Sequence, residues 1–112
     1  MDKLKQYKWI DFSQLNQITT DTEFITYLLK AYVEDTEKML IQSYEALSKE
    51  DYNTIKYIAH TIKGASNNLG LYLIADIAKN IELSIQKDQI NDVADHLTNL
   101  KKEFDNFKTF LE

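Results

Sequence analysis

Residues 51–70 read DYNTIKYIAHTIKGASNNLG, and the spacing of their apolar side chains decides how the chain folds. Ile55, Ile58, Ala59, Ile62, Ala65 and Leu69 recur at three- and four-residue steps, which is one side of a helix turning about 100° per residue. Asp51 stands where an N-cap accepts backbone N–H groups, and Gly70 stands where a helix ends in a left-handed residue. The segment is predicted to be an amphipathic helix with one face on a core.

The same periodicity continues on both sides of it. Upstream, Ile25, Leu28, Leu29, Tyr32, Met39, Leu40, Ala46 and Leu47 share a face interrupted by Thr36 and Ser43, predicting a long helix from Thr20 to about Ser48. Thr20 and Glu23 have the spacing of a capping box at its start. Downstream, Ile74, Ile77, Ala78, Ile81 and Ile85 predict a helix from about Tyr72 to Gln86. After a turn at Lys87-Asp88, the positions Ile90, Val93, Ala94, Leu97, Leu100, Phe104, Phe107 and Leu111 predict a last helix. A short first helix is expected over Asp11 to Ile18, with Phe12, Leu15 and Ile18 on one face and Trp9 and Ile10 packing as an entering lid. Proline is absent, the only glycines are Gly64 and Gly70, and no stretch alternates in the manner of a strand. The expected fold is all-α, an antiparallel up-down four-helix bundle with a short N-terminal lid helix.

A chain of 112 residues suffices for one core, so residues 1–112 are expected to form a single domain. Cysteine is absent, which excludes disulfides and thiolate chemistry. A formal net charge of −5 without a Lys/Arg cluster argues against nucleic acid as a partner. No apolar run approaches the length of a membrane span, and the start, Met-Asp-Lys-Leu-Lys-Gln, leads into polar sequence rather than a signal peptide's apolar core. A cytoplasmic location with no membrane contact is expected.

His60, Lys63, Gly64 and Asn67 fall together on the side of the 51–70 helix opposite its apolar stripe. Glycine inside a helix costs about 1 kcal/mol relative to alanine, so Gly64 asks for a compensating use. Steric clearance beside the imidazole is the simplest, since it lets another protein's backbone approach. Lys63 puts a mobile positive charge over the same ground, where it can neutralise an anion on the ring. Together these residues make a landing place for a phosphoryl group.

The segment Ala59-His60-Thr61-Ile62-Lys63-Gly64-Ala65-Ser66-Asn67-Asn68-Leu69-Gly70 resembles the phosphorylation motif of the histidine-containing phosphotransfer (HPt) domain family, His-x-x-Lys-Gly followed by small residues and Leu-Gly. The likeness extends to the order of helices over most of the chain. It implies that His60 is the phosphoacceptor, that Lys63 balances the phosphoryl charge and that Gly64 opens access. It also places Glu82 where similar proteins carry a Gln or Glu that reaches the imidazole. Glu82 would accept a hydrogen bond from Nδ1 and leave Nε2 as the nucleophile; a plain surface charge is the other reading of that residue.

By the same resemblance the chain exchanges phosphoryl groups with receiver domains of response regulators and with a hybrid sensor histidine kinase. Mg²⁺ is then expected on the receiver, with no cofactor or metal on this chain, which acts as a monomer in transient one-to-one complexes. Docking is expected around Tyr57 and the small residues near His60. The chain should lack kinase activity of its own, because two glycines six residues apart make no nucleotide-binding loop. His96 reads as a surface residue, and Asp92, Asp95, Glu103 and Asp105 as a solvated acidic face. The competing reading is a helical-bundle interaction protein that never carries phosphate.

Overall fold

Three of the four long helices end just before a left-handed residue that stops backbone hydrogen bonding from propagating, and these turns fix the layout. In the computed structural model, which describes residues 2–112, the long helices are α2 (Thr22–Ser48), α3 (Tyr52–Asn68), α4 (Tyr72–Gln86) and α5 (Val93–Leu111), preceded by the short α1 (Phe12–Asn16). Single 3₁₀ turns lie at Leu4–Gln6 and Ile90–Asp92. No strand occurs among the described residues.

Three helix ends share one device. After α3, Gly70 N–H donates to Asn67 O and Leu71 N–H to Ser66 O, and Gly70 takes φ +77°, the left-handed conformation of a Schellman turn. The α2 and α4 ends repeat the pattern with Glu50 (φ 55°) and Asp88 (φ 59°) in the same role. Each turn reverses the chain within a few residues, so successive helices run antiparallel. The ring closes where α2 meets α5.

The core runs the length of the bundle. Leu29, Ile55, Ile62, Ile74, Ile81, Leu97, Phe104 and Phe107 are almost completely buried, and each such side chain contributes about 1.5–3 kcal/mol relative to exposure. Thr36 and Ser43, the interruptions in the α2 stripe, are fully buried with it. Inside the core, the Tyr32 and Ser66 hydroxyls hydrogen-bond at 2.7 Å and fix α2 against α3. The 27 residues of α2 span about 40 Å at 1.5 Å per residue, matching the long dimension of a molecule measuring 42 × 21 × 19 Å.

Several expectations need correction. Asp21, not Thr20, caps α2, accepting from the backbone N–H groups of Glu23 and Phe24, so the Thr20–Glu23 box does not form. The first helix closes at Asn16, and Ile18 lies beyond it, half exposed. Ala94 faces solvent, and α5 begins at Val93 after the Ile90–Asp92 turn. Trp9 is also largely exposed, its ring edge-on to Tyr72, while Ile10 is buried as a lid residue should be. A further turn, Leu4–Gln6, lies ahead of the expected lid, where Leu4 and Tyr7, apolar residues three apart in a polar stretch, are both buried.

Candidate functional site

The candidate site lies on the outer surface of α3 where α4 packs beside it. Asp51 starts α3 by accepting from Thr54 N–H at 3.2 Å and Thr54 Oγ1–H at 2.6 Å. Ile55, Ile58, Ala59 and Ile62 then press one side into the core, which turns His60, Gly64 and Asn67 outward as expected. The His60 side chain is 65% exposed.

Glu82 reaches this face from α4. One carboxylate oxygen, Oε2, lies 2.9 Å from His60 Nδ1, and the other, Oε1, lies 2.7 Å from Lys63 Nζ. The carboxylate is nearly buried, with its side chain 11% exposed. The Lys63 hydrogen bond holds the Glu82 carboxyl below the usual carboxylate range; desolvation opposes this and the His60 bond assists it. An ionised carboxylate can only accept, so Nδ1 must carry a proton in this contact, and in the neutral ring Nε2 then keeps its lone pair.

The geometry brings three of the sequence-derived residues, His60, Lys63 and Glu82, into one connected set. Glu82 is no plain surface charge. Lys63 departs from expectation: it is half-buried and bonded to Glu82 rather than ranging freely over the imidazole. Gly64 is exposed, and a Cβ added there would have no neighbour within 4 Å, so packing within the chain does not call for glycine. No three His, Asp or Glu side chains converge as a metal site among the described residues. His96, on α5, is partly exposed and takes no part in the set.

Beyond the site the lid closes over the α3–α4 turn. Asp11 N–H donates to Gly70 O at 2.8 Å, and Tyr72 Oη donates to Lys8 O at 3.0 Å. A side chain at position 70 would collide with the Asp11 carbonyl, so this second glycine is needed for close approach as well as for its φ. Tyr7 anchors the segment further along by donating to Glu103 Oε2 at 2.5 Å. None of the described helices is long and apolar enough to cross a membrane.

Comparisons with known proteins bear on the family and the fold. Residues 28–110 match the Hpt domain family, a span holding His60, Lys63, Gly64 and Glu82. The sensor protein EvgS of Escherichia coli strain K12 is 27% identical over 107 residues, covering 88% of this chain but 9% of the sensor. EvgS of Escherichia coli O157:H7 matches with the same identity and coverage, so the chain spans a small fraction of either relative's length. Among solved structures, histidine-containing phosphotransfer protein B (HptB) from Pseudomonas aeruginosa PAO1 superposes with a TM-score of 0.85 at 24% identity. The superposition covers 95% of this chain and 93% of that one, a likeness of fold.

Proposed function

Because the chain belongs to the Hpt domain family, whose members serve histidine phosphotransfer in phosphorelays, we propose that His60 accepts a phosphoryl group from a receiver-domain aspartate and passes it to another receiver. The observation that carries this reading is the exposed imidazole whose Nδ1 is engaged by Glu82 and whose Nε2 is open.

The Nε2 lone pair attacks phosphorus in line, the bond from phosphorus to the aspartyl oxygen breaks, and the electron pair departs with the carboxylate. The Nδ1 proton stays in place, so the phosphorylated ring is cationic and Glu82 lies against that charge. Return transfer to a second receiver reverses these steps. Little else is demanded of the protein, because phosphoryl transfer is governed by positioning and charge. Mg²⁺ belongs to the receiver in this scheme, and the chain contributes no cofactor. Tyr57, one turn before His60 and 72% exposed, and Gly64, one turn after it, flank the nucleophile and suit a small transient interface. The similarity to a stretch of two sensor proteins supports a hybrid sensor histidine kinase upstream.

Incubation with a radiolabelled phosphorylated receiver domain tests the reading. Acid-labile, alkali-stable label is expected on the wild-type chain and not on His60→Gln. Label persisting in that variant, or a wild-type chain that takes none from a panel of receivers, would overturn it and leave the interaction-protein reading.

A further inference from the structure

Where the structure holds it, Lys63 does not stand at the reacting nitrogen. Its ammonium is bonded to Glu82 Oε1, while Oε2 of the same carboxylate takes His60 Nδ1. Nε2 is at a different corner of the imidazole from the Nδ1 edge that Glu82 occupies. To serve oxygens on an Nε2-bound phosphoryl group, Lys63 has to divide its ammonium between them and the carboxylate or turn from the carboxylate.

We propose that Glu82 competes with the phosphoryl group for Lys63, which exchanges one partner for the other on phosphorylation, and that this competition limits how tightly the site retains the group; this rests on His60 being the phosphoacceptor. The free site is already a satisfied pair of opposite charges, half-buried on the lysine side and nearly buried on the carboxylate side. Phosphorylation brings a second, multiply charged acceptor. Lys63 then contributes a difference, the attraction to phosphoryl oxygens less the attraction it gives up at Glu82. With no carboxylate to leave, the same lysine would contribute its whole attraction and the phosphoryl group would be held harder. A carrier that must release its cargo is served by the smaller difference.

A double-mutant cycle isolates this coupling. The wild type, Lys63→Ala, Glu82→Gln and the double variant are equilibrated with phosphoramidate in ammonium buffer. There the phosphorus–nitrogen bond of the reagent breaks, the bond to Nε2 forms and ammonia leaves. Phosphorus NMR reads the ratio of phosphorylated to free His60. The amide oxygen in Glu82→Gln still offers an acceptor to Nδ1, and any direct effect of the lost charge on the phosphoryl group is common to both backgrounds. Lys63→Ala is expected to lower the ratio by less than about two-fold with Glu82 present and about two- to five-fold more with glutamine in its place.

Equal losses in the two backgrounds would overturn the proposal. A wild-type chain that takes no phosphoryl group at His60, judged against His60→Gln, would overturn the phosphoacceptor role itself, which is a separate result. If Glu82→Gln fails to fold, the Lys63 15Nζ resonance of the wild type is followed through phosphorylation. A displaced resonance supports the withdrawal from Glu82, and an unmoved one overturns it.

Discussion

Gly64 and Gly70 stand six residues apart and answer different demands. Gly70 has a positive φ and the Asp11 carbonyl pressed against it, whereas Gly64 lies in ordinary helix with nothing around its missing side chain. Gly64→Gln should therefore keep the fold and raise stability by up to about 1 kcal/mol through helix propensity. It should slow phosphotransfer by filling the approach to His60. Thermal unfolding and transfer rates check the two halves; an unchanged rate would contradict the clearance role. The exposed stripe of His60, Gly64 and Asn67 was legible in the sequence because a residue's angle around a helix is a local quantity. The capture of Lys63 by Glu82 was not, since it depends on how α3 and α4 slide against each other, and no local pattern encodes that register. Glu82 was reached only through its likeness to a family position.

Helix existence was readable at every long element, because a stripe of apolar residues at 3.6-residue period has no other economical use. Helix ends were less so. Thr20 and Asp21 both have side chains able to cap, and their order alone does not say which residue takes the extended conformation. The structure selects Asp21, whose own N–H is held by Thr19 Oγ1. Asp21→Ala should accordingly cost about 1 kcal/mol, and Thr20→Ala close to nothing, as measured by urea denaturation. A larger loss at Thr20 would contradict the observed start of α2. The ends of α2 at Ser48 and of α4 at Gln86 fall where their apolar stripes stop, as expected, although the left-handed residues that follow, Glu50 and Asp88, are not glycines.

On the scale of the whole molecule, the N-terminal segment ties the bundle together through Tyr7, whose ring packs on Phe107 and Phe110 and whose hydroxyl donates to Glu103. Such long-range seating of a short, mostly polar segment was beyond a periodicity reading, whereas the bundle itself was not. Burial, with Glu103 adding to it, pushes the Tyr7 phenol above its ordinary value, and burial pushes Tyr32 up to about 12. A raised folded-state value means the native protein keeps protons that the unfolded chain gives up, so this stabilisation is complete below about pH 10 and is lost as pH rises beyond it. The urea midpoint of Tyr7→Phe should fall less steeply than that of the wild type between about pH 9 and about pH 11; identical slopes would contradict the anchoring. The bundle's purpose in this account is to hold one imidazole with its outer nitrogen bare. Long-range proton–nitrogen NMR of the 15N-labelled chain, recorded before and after transfer from a phosphorylated receiver, reads that nitrogen directly. The expected result is a proton on His60 Nδ1 beforehand and phosphorus coupling at Nε2 afterwards, with His96 unchanged. A proton on Nε2 of the free chain, or phosphorus on any other atom, would contradict it.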